Sequence, residues 1–356
     1  MTATGKELQL PFYAKASLIL IGLYVFISML YIAQSIIVPL VFAVIISIVL
    51  HPVVIFFVRR KINRVVSIVL TIFLTFIVIA SITAFIISQA SQLSQSWPML
   101  VDKFTAMLND TISGASGYFD ISPEIINGYI DQGQDELLNI GKAEIGETII
   151  TIGSIIMVLL LVPVYVFIIL FYHSLLIEFI HKMFGKSDQS QVTAIVSETK
   201  NVIQLYLVGL IIEAAIIAVL NSVALLALGI EYAILLGIIG ALLNVIPYIG
   251  GIVAVALPMI VALATKSSGM YAIYVLIIYY IIQLIDNNYI VPIIVSSKVK
   301  INALFSIIVV FAGNALWGIS GMFLSIPLLA IIKLIFDHIE PLKPWGFLLG
   351  DTCPLY

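Results

Sequence analysis

Hydrophobic positions along this chain come in long blocks rather than with the period of two that marks a strand. Apolar runs cover 16–33, 36–58 and 65–87. Each is long enough for a helix to cross ~30 Å of hydrocarbon. The first run could be read as a signal peptide. It is too long for one, no small-residue cleavage site follows, and a second run begins at once.

The pattern then changes. Residues 91–147 carry Asp102, Asp110, Asp120, Glu124, Asp131, Asp135, Glu136, Glu144 and Glu147 against Lys103 and Lys142. Leu93, Trp97, Leu100, Phe104, Met107 and Leu108 recur at helical spacing. Ser122-Pro123-Glu124 has the form of a helix start, with a capping hydroxyl, a first-turn proline and then an acid. The segment therefore predicts two short amphipathic helices lying on the bilayer or on a neighbouring subunit. A fourth run covers 148–172, with Pro163 as its kink. In 173–200, Leu175, Leu176, Phe179, Ile180, Met183 and Phe184 form a stripe, which predicts an interfacial helix. Spans follow at 201–228 and 270–291.

Two segments of the last third interrupt helix. In 233–264 the chain reads Leu242-Leu243-Asn244-Val245-Ile246-Pro247-Tyr248-Ile249-Gly250-Gly251, with Pro258 beyond. Pro247 lacks an N–H and clashes with the preceding turn, and Gly250 and Gly251 weaken the helix just after it. In 303–336 it reads Gly313-Asn314-Ala315-Leu316-Trp317-Gly318-Ile319-Ser320-Gly321, then Pro327. Asn244 and Asn314 stand 70 residues apart, as do Gly251 and Gly321. Each interrupted segment follows a span that carries one acid, Glu213 or Asp286. Backbone freed from helical bonds is tolerated in a bilayer only inside protein or beside a water-filled cavity. Paired interruptions of this kind point to the site of a secondary transporter.

Composition turns these helices from buried elements into membrane spans. The 356 residues are 62% apolar and 10% charged, against roughly 45–50% and 25% for a soluble domain. Mean hydropathy is +1.21. Folding in water buries only about three quarters of a chain's surface, so a water-soluble enzyme is excluded. With 16 Lys and Arg against 19 Asp and Glu, net charge −3, so is a nucleic-acid binder. The lone Cys353 permits neither a disulfide framework nor a cysteine zinc cluster.

The expected fold is an all-α, polytopic integral membrane protein with about six full spans plus two broken, re-entrant helical hairpins. Its expected divisions are three spans in 1–90, an acidic insert in 91–147, a fourth span and interfacial helix in 148–200, a translocation unit in 201–340 and a tail in 341–356. Lys and Arg favour cytoplasmic loops. Arg59, Arg60, Lys61 and Arg64 thus place both termini inside and 91–147 outside. Eight full crossings remain the alternative to hairpins.

Glu213 lies near the centre of its span, where a charge costs on the order of 2.5–3.5 kcal/mol, so it should face a bundle interior or cavity. Tyr206 shares its helical face. Tyr279, Gln283 and Asp286 follow one face of the next span, beside Asn287 and Asn288. One acid and three amides supply hard oxygen ligands for a small cation or a hydroxylated solute. The candidate coupling residues are Glu213, Asp286, Gln283, Asn287 and Asn288. The candidate helix-break site comprises Asn244, Pro247, Gly250, Gly251, Asn314, Gly318, Ser320 and Gly321. Both acids have a bland alternative as interhelical or interfacial polar groups. Gly318-Ile319-Ser320-Gly321 matches the short motif of intramembrane serine proteases, but His51, His173, His181 and His338 all lie at span ends, leaving no base for it. No cofactor, metal or enzymatic activity is expected.

The segments 244–250, 286–292 and 313–327 resemble the AI-2E family of transporters, and the resemblance runs over roughly 12–345. One stretch, Ser297-Lys298-Val299-Lys300-Ile301-Asn302-Ala303, lacks the Gly and Pro common there. The resemblance implies a bacterial inner-membrane homo-oligomer, such as a pentamer. It also implies gradient-driven export of a small solute such as autoinducer-2, or sodium/proton antiport. The alternative is a channel-like oligomer, or a non-transporting scaffold that binds an extracytoplasmic partner.

Overall fold

The computed structural model describes residues 11–115, 161–183, 189–246, 250–266, 268–295 and 301–351. Every regular element among them is a helix. Helices α1 (Phe12–Ile32) and α2 (Gln34–Arg59) are joined through Ala33 alone. Helix α3 (Arg64–Ala115) starts where the Asn63 side chain accepts the Val65 N–H at 2.9 Å. Along it, Thr71 and Thr75 donate to carbonyls one turn back, at 2.7 and 2.9 Å. Their hydroxyls are thereby satisfied within the helix, as an apolar solvent demands.

Helix α3 corrects the expectation of two short surface helices, at least for residues 91–115. It is one element of 52 residues, about 78 Å long at 1.5 Å per residue. Leu93, Trp97, Leu100 and Val101 are buried in one cluster with Leu225, Ala233, Leu236, Val261 and Tyr279. The stripe faces its own chain. A helical apolar stripe has the same spacing whether it meets lipid, a neighbour or itself. The remainder of the insert, including Ser122-Pro123-Glu124, lies outside the described residues.

Helix α4 (Leu161–Phe171) bends by 65° into α5 (His173–Met183). The expected interfacial helix corresponds to α5, but it does not reach residue 200. Residues 189–200 are the first turns of α6 (Gln189–Ala227), which is 39 residues long, about 58 Å. Glu198 and Lys200 thus extend a span that the apolar pattern alone starts at 201.

Both interrupted segments fold back. The first is α7 (Ala233–Asn244) followed by α8 (Gly250–Thr265). A methyl on Gly240 would sit 3.6 Å from the Cβ of Ala254, yet fourteen residues of straight helix would put about 21 Å between them. The 12 residues of α7 reach only ~18 Å, short of a crossing. The chain leaves α6 at Gly229, whose φ of 65° is readily adopted only by glycine. A methyl there would lie 3.1 Å from Lys266 Nζ, so the hairpin's two ends meet. Pro247, Tyr248 and Ile249 lie outside the described residues, as do Lys298 and Lys300.

Helix α9 (Met270–Ile285) continues as a π-helix over Asp286–Val295. The second hairpin lies within α10 (Ala303–His338), which breaks at Trp317 (φ −136°, ψ 20°) and Gly318 (φ 59°, ψ −141°). Ser325 Oγ, 16 residues from Val309, donates to its carbonyl at 2.8 Å. A straight helix would separate the two by about 24 Å. Leu349, in the short α11 (Lys343–Leu349), accepts the Asn302 N–H at 2.9 Å and closes the base.

The two bases lie at opposite ends of α6. Gln191 donates to the His338 carbonyl, and Glu198 Oε2 lies 3.3 Å from His338 Nε2, so the second hairpin is rooted at the start of α6. The first is rooted beyond Ala227. Each has its own core: one built with α3 and α9, the other from Leu324 with Ile45 of α2 and Ile203, Tyr206 and Leu207 of α6.

Candidate functional site

Helix α6 is the spine of the candidate site. Its buried positions include Tyr206, Glu213, Ile217 and Asn221. Two backbones approach it closely because glycine permits it. A methyl on Gly209 would lie 2.8 Å from the Ile294 carbonyl oxygen of the π-helix. One on Gly237 of α7 would lie 2.6 Å from the Ser222 nitrogen. Helix α9 presents Ala272, Val275, Tyr279 and Ile282 to the interior, and Asp286 continues that seam.

Asp286 is 1% exposed and Glu213 is 6% exposed. Asn244, the last residue of α7, donates its Nδ2 to Asp286 Oδ2 at 2.8 Å. Asp286 Oδ1 has no partner among the described residues. Asp286 is the charge that acts on Glu213, and among the described residues no Lys or Arg acts on either acid. Gln283 donates its amide to Asn287 Oδ1 at 3.3 Å, which leaves its own oxygen as an acceptor. That oxygen and Asn244 Oδ1 both face the flank of Gly251, 2.6 and 3.6 Å from where a Cβ would stand. The cluster thus offers oxygen from Asp286, Asn244 and Gln283 beside a second carboxyl. Such a set suits a proton, a small hard cation or a donating hydroxyl.

A second polar level lies on the same seam. Asn221 is 3% exposed and Tyr279 7%. A Cβ on Gly240 would lie 3.2 Å from Asn221 Nδ2 and 3.6 Å from the Tyr279 hydroxyl. Asn221 Oδ1 and that hydroxyl have no partner among the described residues. Asn221 lies eight residues from Glu213, about 12 Å along α6. The sequence reading placed Tyr279 on the Asp286 face but passed over Asn221. Its signal was an amide at i+8 from Glu213 in an otherwise apolar run.

The structure brings together Glu213, Asp286, Gln283, Asn244, Gly251 and, through Gln283, Asn287. Asn288 instead donates to the Leu284 carbonyl of its own helix at 2.8 Å. Asn314 and Gly318 are exposed. No hydrogen bond joins Asn314 or Ser320 to the carboxyl cluster among the described residues. Gly250 packs the first turn, where a methyl would lie 2.7 Å from Asn244 Cα. Gly321 does the same in the second hairpin, against Gly313. The tip of that hairpin is held by Trp317, whose indole donates to the Leu30 carbonyl of α1 at 3.1 Å.

The chain is similar to known proteins over nearly its whole length. Over 326 residues the chain is 25% identical to the AI-2 transport protein TqsA of Escherichia coli (strain K12), covering 90% of each. It is 26% identical over 339 residues to YueF of Bacillus subtilis (strain 168), covering 91% of this chain and 88% of that one. YrrI of the same organism is 25% identical over 339 residues, covering 90% and 93%. The last two are named only for transport. The model of the AI-2E family transporter matches residues 19–340, and with six helices among the described residues long and apolar enough to cross a membrane, this integral membrane protein belongs to the AI-2E transporter family.

Proposed function

We propose that this protein is a gradient-driven secondary transporter whose coupling site is the Glu213–Asp286 pair beneath the first hairpin. One observation carries the reading. Two buried carboxyls share the site, Asp286 acts on Glu213, and among the described residues no Lys or Arg acts on either and one oxygen of Asp286 is unpartnered. Buried like charges need a proton or a cation between them. A site that gains and loses that ion can couple its gradient to movement of a solute. The side-chain oxygens of Asn244 and Gln283 supply further acceptors, for the ion or for a hydroxyl-bearing solute such as autoinducer-2, the molecule in TqsA's name. Hairpins rooted at opposite ends of α6 give the site a gate on each side.

On this reading 201–340, extended back to the start of α6, is the translocating unit, and the earlier helices are scaffold. Helix α1 buries none of its residues within one chain, which favours a homo-oligomer with α1 at its interface. The basic cluster of residues 59–64 favours an orientation with that end of the bundle in the cytoplasm of a bacterial inner membrane.

Proteoliposomes with imposed proton or sodium gradients test the reading with autoinducer-2 and with a pH dye. Wild type should show saturable, gradient-dependent flux and counter-exchange. Asp286→Asn and Glu213→Gln should abolish it while assembly persists. Undiminished flux in both variants would sink the mechanism. Unsaturable conductance would instead point to a channel.

A further inference from the structure

A second group of titratable side chains lies away from this site, at the basic end of the bundle. His51 of α2 and His173 at the start of α5 stack with ring centroids 4.5 Å apart. Lys200 Nζ of α6 lies 3.0 Å from His51 Nδ1. A lysine ammonium can only donate, so this contact fixes His51 as the tautomer with its proton on Nε2. Arg64 opens α3 and donates one N–H to the Leu170 carbonyl at 3.1 Å, at the bend between α4 and α5. Among the described residues four of its five N–H groups remain.

The charges that act on His51 are Lys200, His173 and Arg64, and those on His173 are Lys200 and Arg64. Among the described residues no acid acts on either histidine. Two carboxylates of α5 and α6 have other partners: Glu178 pairs with Lys182 at 2.8 Å, and Glu198 with His338 at 3.3 Å. Helices α3 and α5 also begin here, so their positive ends add to the cations. The histidines and Lys200 are partly buried, while Arg64 is exposed. The cluster is therefore open to one side.

From this geometry we propose that His51, Arg64, His173 and Lys200 form a binding site for a phosphate group. Every polar group that the cluster still offers is a donor, or becomes one on protonation. A tetrahedral oxyanion accepts from several directions at once and offsets the like charges of Arg64 and Lys200. An arginine fork and a lysine beside helix N-termini are the usual means of holding one. Basic pockets between membrane helices near the bilayer surface take anionic lipid headgroups in this way. The two sources of the group are thus a phosphatidylglycerol headgroup and free phosphate.

The test uses the full chain in nanodiscs of phosphatidylcholine alone, or with phosphatidylglycerol, and reads its melting temperature. A rise with phosphatidylglycerol that Lys200→Gln loses and Lys200→Arg keeps supports a lipid headgroup. A rise in phosphatidylcholine discs on adding inorganic phosphate, lost in the same variant, supports the free anion. Lys182→Gln, at an exposed lysine of α5, should keep either gain. The site is refuted if neither phosphate source raises the melting temperature, or if Lys200→Gln keeps the whole gain. Should Lys200→Gln fail to assemble, His51→Gln carries the same comparison.

Discussion

The second hairpin yields a prediction whose sign depends on the fold. Residues 303–338 read as a helix long and apolar enough to span a membrane straight through. In a straight helix, Gly313→Ala would stabilise, because glycine costs roughly 0.5–1 kcal/mol relative to alanine in a helix interior. In the folded-back arrangement the same methyl lies 2.5 Å from the Gly321 carbonyl oxygen and 2.8 Å from its carbon. Ordinary contact begins near 3.4 Å, so the arms must part by about 0.9 Å. Overpacking of this kind costs about 1–3 kcal/mol. The Ser325–Val309 bond, now 2.8 Å, would stretch past hydrogen-bonding range and lose ~1 kcal/mol more. The expected outcome is a loss of about 2–4 kcal/mol, read as a lower melting temperature in detergent. Gly22→Ala in α1 is the control, because nothing lies within 4 Å of its would-be Cβ. It should be neutral or stabilising. Cysteines at 309 and 325, in a Cys353→Ser background, should form a disulfide on mild oxidation. A stabilising Gly313→Ala together with no cross-link would refute the hairpin.

Two further substitutions probe the packing of α3 and the second polar level. Trp97→Ala should cost about 3–5 kcal/mol, since Trp97 is only 9% exposed within the chain's own core; a wild-type melting temperature would return the stripe to the bilayer. Tyr279→Phe with Asn221→Leu removes a buried hydroxyl and a buried amide, so stability should hold or rise by about 1 kcal/mol. Flux should fall in the double variant if this level lies on the solute path, and a large loss of stability would mark the two as a structural pair.

What the sequence revealed depended on whether the signal was local. Membrane character and the two hairpins were legible because each rests on nearby residues: apolar runs of spanning length, and Asn244 to Gly251 or Gly313 to Gly321 breaking helix on the spot. The break at Gly318 fell inside its predicted window because φ of 59° admits glycine readily and other residues poorly. The pairing of Glu213 with Asp286 was half legible. Each acid stood out alone in an apolar span, but their proximity depends on α6 and the π-helix meeting at Gly209. The direction in which α3 turns its stripe was not legible, because spacing encodes a face and not its partner.

Asn221 shows why the rest was hidden. Alone it is one amide in an apolar helix, explicable as glue between helices. It joins a site only because Gly240 lets α7 fit between it and Tyr279, two residues 58 positions apart on different helices. Burying the Asn221 oxygen and the Tyr279 hydroxyl at one glycine, with no partner for either among the described residues, is costly in hydrocarbon unless something fills the gap. The position is also one step along α6 from the carboxyl pair, toward the root of the first hairpin. On the proposed transport reading, a solute or water leaving Asp286 in that direction would meet Asn221 and Tyr279 next. The polar seam thus continues from the carboxyl pair as a ladder, and its direction follows from which hairpin is rooted at which end of α6.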